Sequence, residues 1–243
     1  MKILLIYPLT RIKNKYLTEP GWVPLGLSFI ASSLQQGGHE VAIFDRNAAL
    51  SSLGNEVEKI DRAMLDFIKQ FNPDLIGFNT VTPLIYDTVN CAKVIRQNFN
   101  GLMIAGGHHT TAMPELTLQR LPELDGVVAG EGEIVLRKLA DGDNPLAIPG
   151  LWWRNGKEIK GNSMLQIDNL DNLPFPSMDL LDMQFYCRPG RTMIRGFHLS
   201  TISMLASRGC QYKCHYCAES LTYGRGIRYH SKDYVIEWMQ KLI

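Results

Sequence analysis

Five short apolar runs, separated by longer segments of mixed polarity, limit most strongly how this chain can fold. Each run is too short for a helix and is bounded by Gly, Pro, Asp or Asn; the runs are Lys2–Tyr7, Glu40–Asp45, Asp74–Asn79, Leu102–Ala105 and Gly126–Ala129. Continuous apolar runs of this length are typical of strands in parallel sheets. We therefore expect five parallel strands, all buried on both faces.

The segments between these runs have helical periodicity. It is clearest in Glu56–Phe71, where apolar residues recur every three or four positions, and the other predicted helices are Pro24–Gln36, Ile85–Asn98, Met113–Leu121 and Glu131–Ala140. Strands that alternate with helices predict an α/β fold with a doubly wound parallel five-stranded sheet of the flavodoxin-like kind. We place this first domain at residues 1–145.

Residues 146–200 are predicted to form a hairpin and an extended linker. Asn155-Gly156 separates two short runs, and this dipeptide favours a tight primed turn with positive φ angles. Residues 161–200 contain several prolines and little periodicity, so we expect them to lie extended on the surface.

Residues 201–243 are predicted to form a third unit. It consists of an apolar strand at Thr201–Ala206, a loop rich in cysteine, and a helix from Lys232 that Ser231 caps.

Charge and hydropathy indicate a soluble, cytoplasmic protein. The net charge is +1, the apolar run before Pro8 is too short for a signal peptide, and no stretch reaches the ~20 apolar residues that span a bilayer. Residues 188–232 hold eight Lys or Arg and a single acidic residue, Glu219. Because this basic stretch surrounds the cysteine loop, we interpret it as compensation for an anionic site and expect no nucleic-acid partner.

Three of the five cysteines lie within eight residues, at Cys210, Cys214 and Cys217. Three thiolates on one loop can bind three irons of a four-iron cluster and leave the fourth iron open. An amine and a carboxylate, such as those of S-adenosylmethionine, can chelate that open iron, and an electron from the cluster can then cleave the sulfonium.

Zinc is the alternative metal for this loop. A closed zinc site needs four ligands, and Cys187, His198 or His230 could supply the fourth. Cys91 is expected to be a packing residue within a helix. Cys187 lies in the predicted linker, without another cysteine at the spacing of a metal-binding pair.

The residues that follow the predicted strands form a second candidate site. Ligands of open parallel sheets bind at the carboxyl ends of the strands. There, Gly106-Gly107 permits close approach of a bulky ligand, and four hydroxyls share the rim, those of Thr80, Thr82, Thr110 and Thr111. A glycine pair that serves only as a turn is the alternative.

Two other ligand classes are disfavoured at this rim. No Gly-x-Gly-x-x-Gly follows the first strand, which excludes the dinucleotide fingerprint. Asn79 stands where a phosphoryl-accepting signalling domain needs an aspartate, so that class is discounted as well.

The cysteine spacing, with Tyr216 before the last cysteine, resembles the radical SAM superfamily. Members often carry Ser-Arg-Gly-Cys-Pro at the first cysteine, and here Gln211 replaces the proline. The resemblance implies a 4Fe-4S cluster on the three cysteines, S-adenosylmethionine as cofactor, and Tyr216 beside its adenine.

Residues 1 to about 200 resemble the cobalamin-binding domain that precedes radical SAM barrels. The matching segments are Pro24-Leu-Gly-Leu, Asp74-Leu-Ile-Gly-Phe, Gly106-Gly-His-His-Thr, Pro114-Glu115, Gly130-Glu-Gly-Glu133, Ile148-Pro-Gly-Leu and Leu173-Pro-Phe-Pro. The resemblance implies cobalamin on a rim made of Thr80, Thr82, Gly106, Gly107, Thr110, Gly130 and Glu131.

One departure concerns the cobalt ligand. Cobalamin carriers place Asp-x-His-x-x-Gly after the first strand, whereas this chain has Tyr7-Pro-Leu-Thr-Arg-Ile, which implies a cobalt without a histidine from this loop. We expect His108 and His109 to be solvated, and Glu131 and Glu133 to cap the following helix.

The resemblance is nearest to the anaerobic magnesium-protoporphyrin monomethyl ester oxidative cyclase and to cobalamin-dependent methyltransferases. It implies a methyltransferase or oxidoreductase that methylates or oxidatively cyclises a small molecule, such as a tetrapyrrole or another hydrophobic metabolite, with an external low-potential reductant. A barrel needs roughly 30 residues per unit, so we expect only its first unit here, in a chain inactive alone. The alternative is a cobalamin or small-ligand binding module with a vestigial iron-sulfur loop.

Overall fold

Seven strands of the described residues form the central sheet. The structure, a computed structural model, describes all residues except 13–14, 17–22, 55, 189–191, 195–196, 213 and 243. The strands are β1 (Lys2–Tyr7), β2 (Glu40–Asp45), β3 (Leu75–Asn79), β4 (Leu102–Gly106), β5 (Gly126–Val128), β6 (Leu151–Asn155) and β7 (Glu158–Gly161). Their order is β2-β1-β3-β4-β5-β6-β7, with β1 to β5 parallel and β6 and β7 antiparallel.

The five predicted parallel strands are confirmed, but the prediction of a five-stranded sheet is wrong. The hairpin β6–β7 extends the sheet beyond β5, and its positive φ is at Gly156. Glycine makes this pairing possible, since a Cβ at Gly126 would lie 2.8 Å from the ring of Trp153 and one at Gly161 would lie 2.3 Å from the ring of Trp152.

The expectation that all five strands are buried on both faces is also wrong for one strand. β2 lies at the sheet edge, and Val41 is its one fully buried residue. An edge strand has a neighbour on one side alone, which leaves its other residues partly exposed.

Among the described residues, seven helices connect and flank the strands of the first domain. They are α1 (Leu25–Gln36), α2 (Arg46–Leu53), α3 (Val57–Phe71), α4 (Ile85–Arg96), α5 (His108–Ala112), α6 (Pro114–Arg120) and α7 (Gly132–Ala140). Helices α2 and α5 were not predicted. α2 has little hydrophobic periodicity and begins where the Asp45 carboxylate accepts hydrogen bonds from the N–H groups of Asn47 and Ala48.

The shorter elements complete the chain. They are α8 (Met183–Tyr186), α9 (Glu219–Thr222), α10 (Lys232–Lys241), β8 (Ser207–Arg208), β9 (Arg228–Tyr229), the hairpins Arg11–Ile12/Lys15–Tyr16 and Thr192–Ile194/Phe197–Leu199, and the 3-10 turns Thr82–Leu84, Pro145–Ala147, Leu170–Asn172 and Met178–Leu180. No helix in the described part of the chain is long and apolar enough to cross a membrane.

Two apolar cores lie on opposite faces of the sheet. Alternate residues of β1 point to each face: Leu4 belongs to the core covered by α3, α4 and α6, and Leu5 to the core covered by α1 and α7. The sheet is therefore doubly wound, as predicted.

Part of the predicted linker is buried in an apolar core. A third core joins α1, the segment 167–173 and α10; it contains Phe29, Ile167, Leu170, Leu173, Tyr234 and Trp238. The extended-surface prediction is wrong for this segment, because its apolar residues are buried between the two helices. Residues 189–191 and 195–196 of the predicted linker lie outside the described residues.

The predicted strand at Thr201–Ala206 is wrong. The strand in this region is β8, which pairs antiparallel with β9. The cap of α10 is confirmed, since Ser231 Oγ accepts a hydrogen bond of 3.2 Å from the Tyr234 N–H.

Candidate functional site

A cavity of about 410 Å³ lies at the carboxyl ends of β1, β3, β4 and β5. Residues of α1 from Leu25 to Ile30 form one wall, and the strand ends form another. The segment that carries the cysteines closes it, through Leu205, Arg208 and Tyr223. The cavity is thus lined by three parts of the chain that are far apart in sequence.

The glycines of the predicted rim line this cavity. Gly107 has a φ of +122°, and a Cβ there would lie 2.6 Å from the Thr80 carbonyl oxygen, so its backbone requires glycine. Gly130 also has a positive φ, of +89°. Gly106 has an ordinary backbone, and a Cβ there would meet Val128 Cβ at an easy 3.5 Å.

The threonines of the predicted rim do not line the cavity. Thr80 is fully buried, with Oγ1 2.8 Å from the Gly106 carbonyl oxygen and 3.0 Å from Thr110 Oγ1. Thr111 Oγ1 accepts a hydrogen bond from the Gly130 N–H, and exposed Thr82 lies 3.3 Å from His109 Nδ1. These hydroxyls stabilise the loops that present the glycines.

The loop after β1 is held by a buried charge pair. Arg46 donates two hydrogen bonds to Asp87, and the same carboxylate accepts the Leu9 N–H at 2.6 Å. Tyr7 lines the cavity, and burial, with a contribution from Asp45, raises its pKa to about 12. The Tyr7 phenol is therefore neutral, and it stands at the start of the loop in which cobalamin carriers have histidine.

The two histidines after β4 differ in environment. His108 lines the cavity and packs edge-on against Tyr223, with ring centroids 6.0 Å apart. His109 lies outside it, and partial burial lowers its pKa. Both histidines are half-buried, and His108 differs from the expectation of a solvated loop residue in that it faces the cavity and contacts the cysteine-bearing segment.

Glu131 and Glu133 bind arginines of the third unit. Neither caps α7 through its side chain, which corrects the capping prediction. Arg208 donates to Glu131 Oε1 at 2.9 Å and to Glu133 Oε1 at 2.7 Å, and Arg228 donates to Glu131 Oε2 at 2.7 Å. The Ile167 N–H also donates to Glu131 Oε2, at 2.8 Å. Two of the eight basic residues in the 188–232 stretch are thereby neutralised by carboxylates of the first domain.

The three predicted cluster ligands line one small cavity. Cys210, Cys214 and Cys217 share it with Tyr212, Glu219 and Ser220. Cys214 and Cys217 are exposed, and Tyr216 is 93% exposed. Within the residues that the structure describes, no group of three or more His, Cys, Asp or Glu side chains is placed to hold a metal ion. The donor set of three thiols beside one opening fits the chemistry of an iron-sulfur cluster.

The remaining cysteines and His230 do not line the small cavity that the three cysteines share. Cys91 is buried within α4, which confirms its packing role, and Cys187 is partly buried at the end of α8. His230 stacks on Tyr234 with centroids 4.0 Å apart and lies 3.3 Å from Asp171. These contacts show that His230 packs within the protein beside Tyr234.

Arg208 was missed by the sequence reasoning. Its guanidinium stacks against Phe29 and Tyr223, at 5.1 and 5.9 Å from the ring centroids. The signal available in the sequence was the pair of carboxylates in Gly130-Glu-Gly-Glu133 together with an arginine beside the first cysteine. A local pattern does not show that such distant segments meet.

Residues 18–140 match the B12 binding domain. The chain belongs to the B12-binding domain family. This match covers β2 to β5 and the cavity wall made by α1.

Relatives that extend beyond this domain resemble the chain along its whole length. An uncharacterized methyltransferase of Pyrococcus horikoshii is 35% identical, over 98% of this chain and 49% of that protein. The anaerobic magnesium-protoporphyrin IX monomethyl ester cyclase of Rubrivivax gelatinosus is 23% identical, over 100% of this chain and 43% of that protein. The chain spans about half the length of these curated relatives.

A solved structure has the same fold. It is that of the radical S-adenosylmethionine methyltransferase TsrM from Kitasatospora setae with cobalamin and a [4Fe-4S] cluster bound. The TM-score is 0.69 at 17% identity, over 99% of this chain and 45% of that chain.

Proposed function

We propose that the chain holds the cobalamin and the iron-sulfur cluster of a radical SAM enzyme that methylates or oxidatively cyclises an unactivated carbon. One observation carries this proposal. The segment that bears Cys210, Cys214 and Cys217 also closes the cavity at the strand ends of a B12-binding domain, through Leu205 and Arg208. The two proposed cofactor sites would therefore adjoin in one chain.

Cobalamin would occupy the 410 Å³ cavity and the rim above it. Gly106, Gly107 and Gly130 present backbone without side chains, and α1 supplies an apolar wall. Tyr7 in place of a histidine leaves the cobalt without an imidazole from the loop after β1. Thr80 and Thr110 support the rim from beneath rather than touch the ligand.

The three cysteines would hold the cluster, and exposed Tyr216 is free to contact an adenine. When bound, the cluster supplies the electron that cleaves S-adenosylmethionine, and cobalamin supplies a cobalt that carries a methyl group. The substrate class is a small hydrophobic molecule, with an external low-potential reductant. Relatives named magnesium-protoporphyrin cyclase and hopanoid C-3 methylase support this class.

Anaerobic reconstitution of the full chain with iron and sulfide tests the cluster assignment. We expect about four irons per chain. Cys214→Ala should lower the iron content strongly, whereas the matched control Cys187→Ala should leave it unchanged. Stoichiometric zinc in place of iron, or equal iron in the two variants, contradicts the assignment.

A binding module with a vestigial loop is the second candidate function. The exposure of Cys214 and Cys217 is the observation that favours it. Anaerobic incubation with hydroxocobalamin, iron and sulfide together separates the candidates. The binding module takes up cobalamin and no cluster, and the enzyme takes up both.

A further inference from the structure

Three buried charged residues and the partly buried Arg228 join the first domain to the cysteine-bearing segment. We call Glu131, Glu133, Arg208 and Arg228 the interdomain ion cluster. The side chains of Glu131 and Glu133 are 0% and 4% exposed, and that of Arg208 is 3% exposed. Two positive and two negative charges balance, so the ions are held by each other rather than by solvent.

The interdomain ion cluster lies directly beside the first cysteine. Gly209 separates Arg208 from Cys210 and has a φ of +89°; a Cβ there would lie 2.2 Å from the Gly226 carbonyl oxygen. Cys210 also forms an isolated parallel bridge with Arg225. The chain between Arg208 and Cys210 is therefore fixed on both sides.

Arg208 also forms part of the cavity wall. Its Nε, and Oγ1 of Thr222, are buried and have no hydrogen-bond partner among the described residues. Both residues line the 410 Å³ cavity. A ligand that fills the cavity would therefore contact the side chain that fixes the start of the cysteine loop.

We propose that Arg208 is a positioning residue that docks the cysteine loop on the cavity through Glu131 and Glu133, so that a cavity ligand and the metal on the cysteines are bound cooperatively. The inference rests on the proposed function and adds an energetic coupling between its two sites. Coupling of this kind is reciprocal, because each ligand raises the affinity for the other by the same factor.

Hydrogen exchange of the full chain, without added ligand, tests the docking. In Arg208→Lys the charge stays but the planar fork that reaches two carboxylates is lost, and in Glu133→Gln one carboxylate is lost. We expect exchange in residues 207–217 to accelerate about tenfold in both variants, with unchanged protection in β1 and β3. The exposed variant Glu115→Gln and the buried variant Arg46→Lys are the controls.

Two results of this experiment overturn the docking. One is equal exchange of residues 207–217 in the parent and in both variants. The other is acceleration of this loop in Arg46→Lys to the same extent as in Arg208→Lys, which would reflect general destabilisation. Protection of β1 and β3 in the same data distinguishes a folded variant from an unfolded one.

Binding of hydroxocobalamin, measured by absorbance before and after cluster reconstitution, tests the coupling. We expect the parent chain to bind at least about fivefold more tightly with the cluster present, and Arg208→Lys to show a ratio near one. A ratio near one in the parent overturns the coupling and leaves the proposed function standing. A parent chain that binds no cobalamin overturns the proposed function and the coupling, while the exchange data still decide the docking.

Discussion

Replacement of Gly107 by alanine should destabilise the fold, although the residue lies at a ligand-binding rim. The residue has φ +122° and ψ −175°, a conformation essentially restricted to glycine, and a side chain there costs about 1–3 kcal/mol. The new Cβ would also lie 2.6 Å from the Thr80 carbonyl oxygen, which accepts the His109 N–H, and relief of such overpacking costs about 1–3 kcal/mol. We expect a total loss of at least about 2 kcal/mol.

Thermal unfolding followed by circular dichroism measures this loss. For a chain of this size, 1 kcal/mol lowers the Tm by about 2–4 °C, so Gly107→Ala should lower it by at least about 4 °C. Gly106→Ala is the matched control, because its Cβ would lie 3.5 Å from Val128 Cβ, an ordinary contact. Equal Tm values for the two variants would refute the reasoning.

Three further predictions concern the cobalt, the β1 loop and pH. Electron paramagnetic resonance of cobalt(II) in bound cobalamin should show no nitrogen triplets that arise from a protein histidine; triplets that the parent shows and His108→Ala lacks would instead identify His108 as a ligand. Asp87→Asn should cost about 3 kcal/mol in urea unfolding, because it leaves the buried Arg46 guanidinium with one carboxylate, Asp61, in place of two, while exposed Asp143→Asn should cost little; equal losses would contradict this. Burial lowers the pKa of His230 below its ordinary 6.5, so the unfolded chain binds the proton more readily and stability should fall as pH drops below 6.5. His230→Phe should flatten that pH dependence, and an unchanged slope would exclude His230 as its source.

Local periodicity accounts for the parts of the fold that were predicted well. β1 and β2 have the predicted bounds, and α3 begins within one residue of its predicted start. Each is specified by a pattern within a few residues, since a strand of a parallel sheet appears as a short apolar run and an amphipathic helix demands a repeat of three to four. The helix α2 has no such repeat and was therefore not predicted. Its start is stabilised instead by the Asp45 cap.

Which strands belong to the central sheet could be determined only from the tertiary structure. The hairpin β6–β7 was predicted as a hairpin, but its pairing with β5 depends on Gly126, which leaves room for the ring of Trp153. The burial of the apolar segment 167–173 likewise depends on its packing against α1 and α10. Such pairings depend on shape complementarity between distant surfaces, which no local pattern records.

The sequence by itself determined the doubly wound parallel sheet, the cysteine triplet and the absence of a histidine after β1, because each is written in adjacent residues. The tertiary structure alone decided what Glu131 and Glu133 do. Arg208 lies 77 residues after Glu131 in the chain, yet the two side chains form a buried ion pair at 2.9 Å. Carboxylates at a helix start favour the helix dipole when exposed, but burial requires an opposite charge as a direct partner, and only the fold brought that arginine to them.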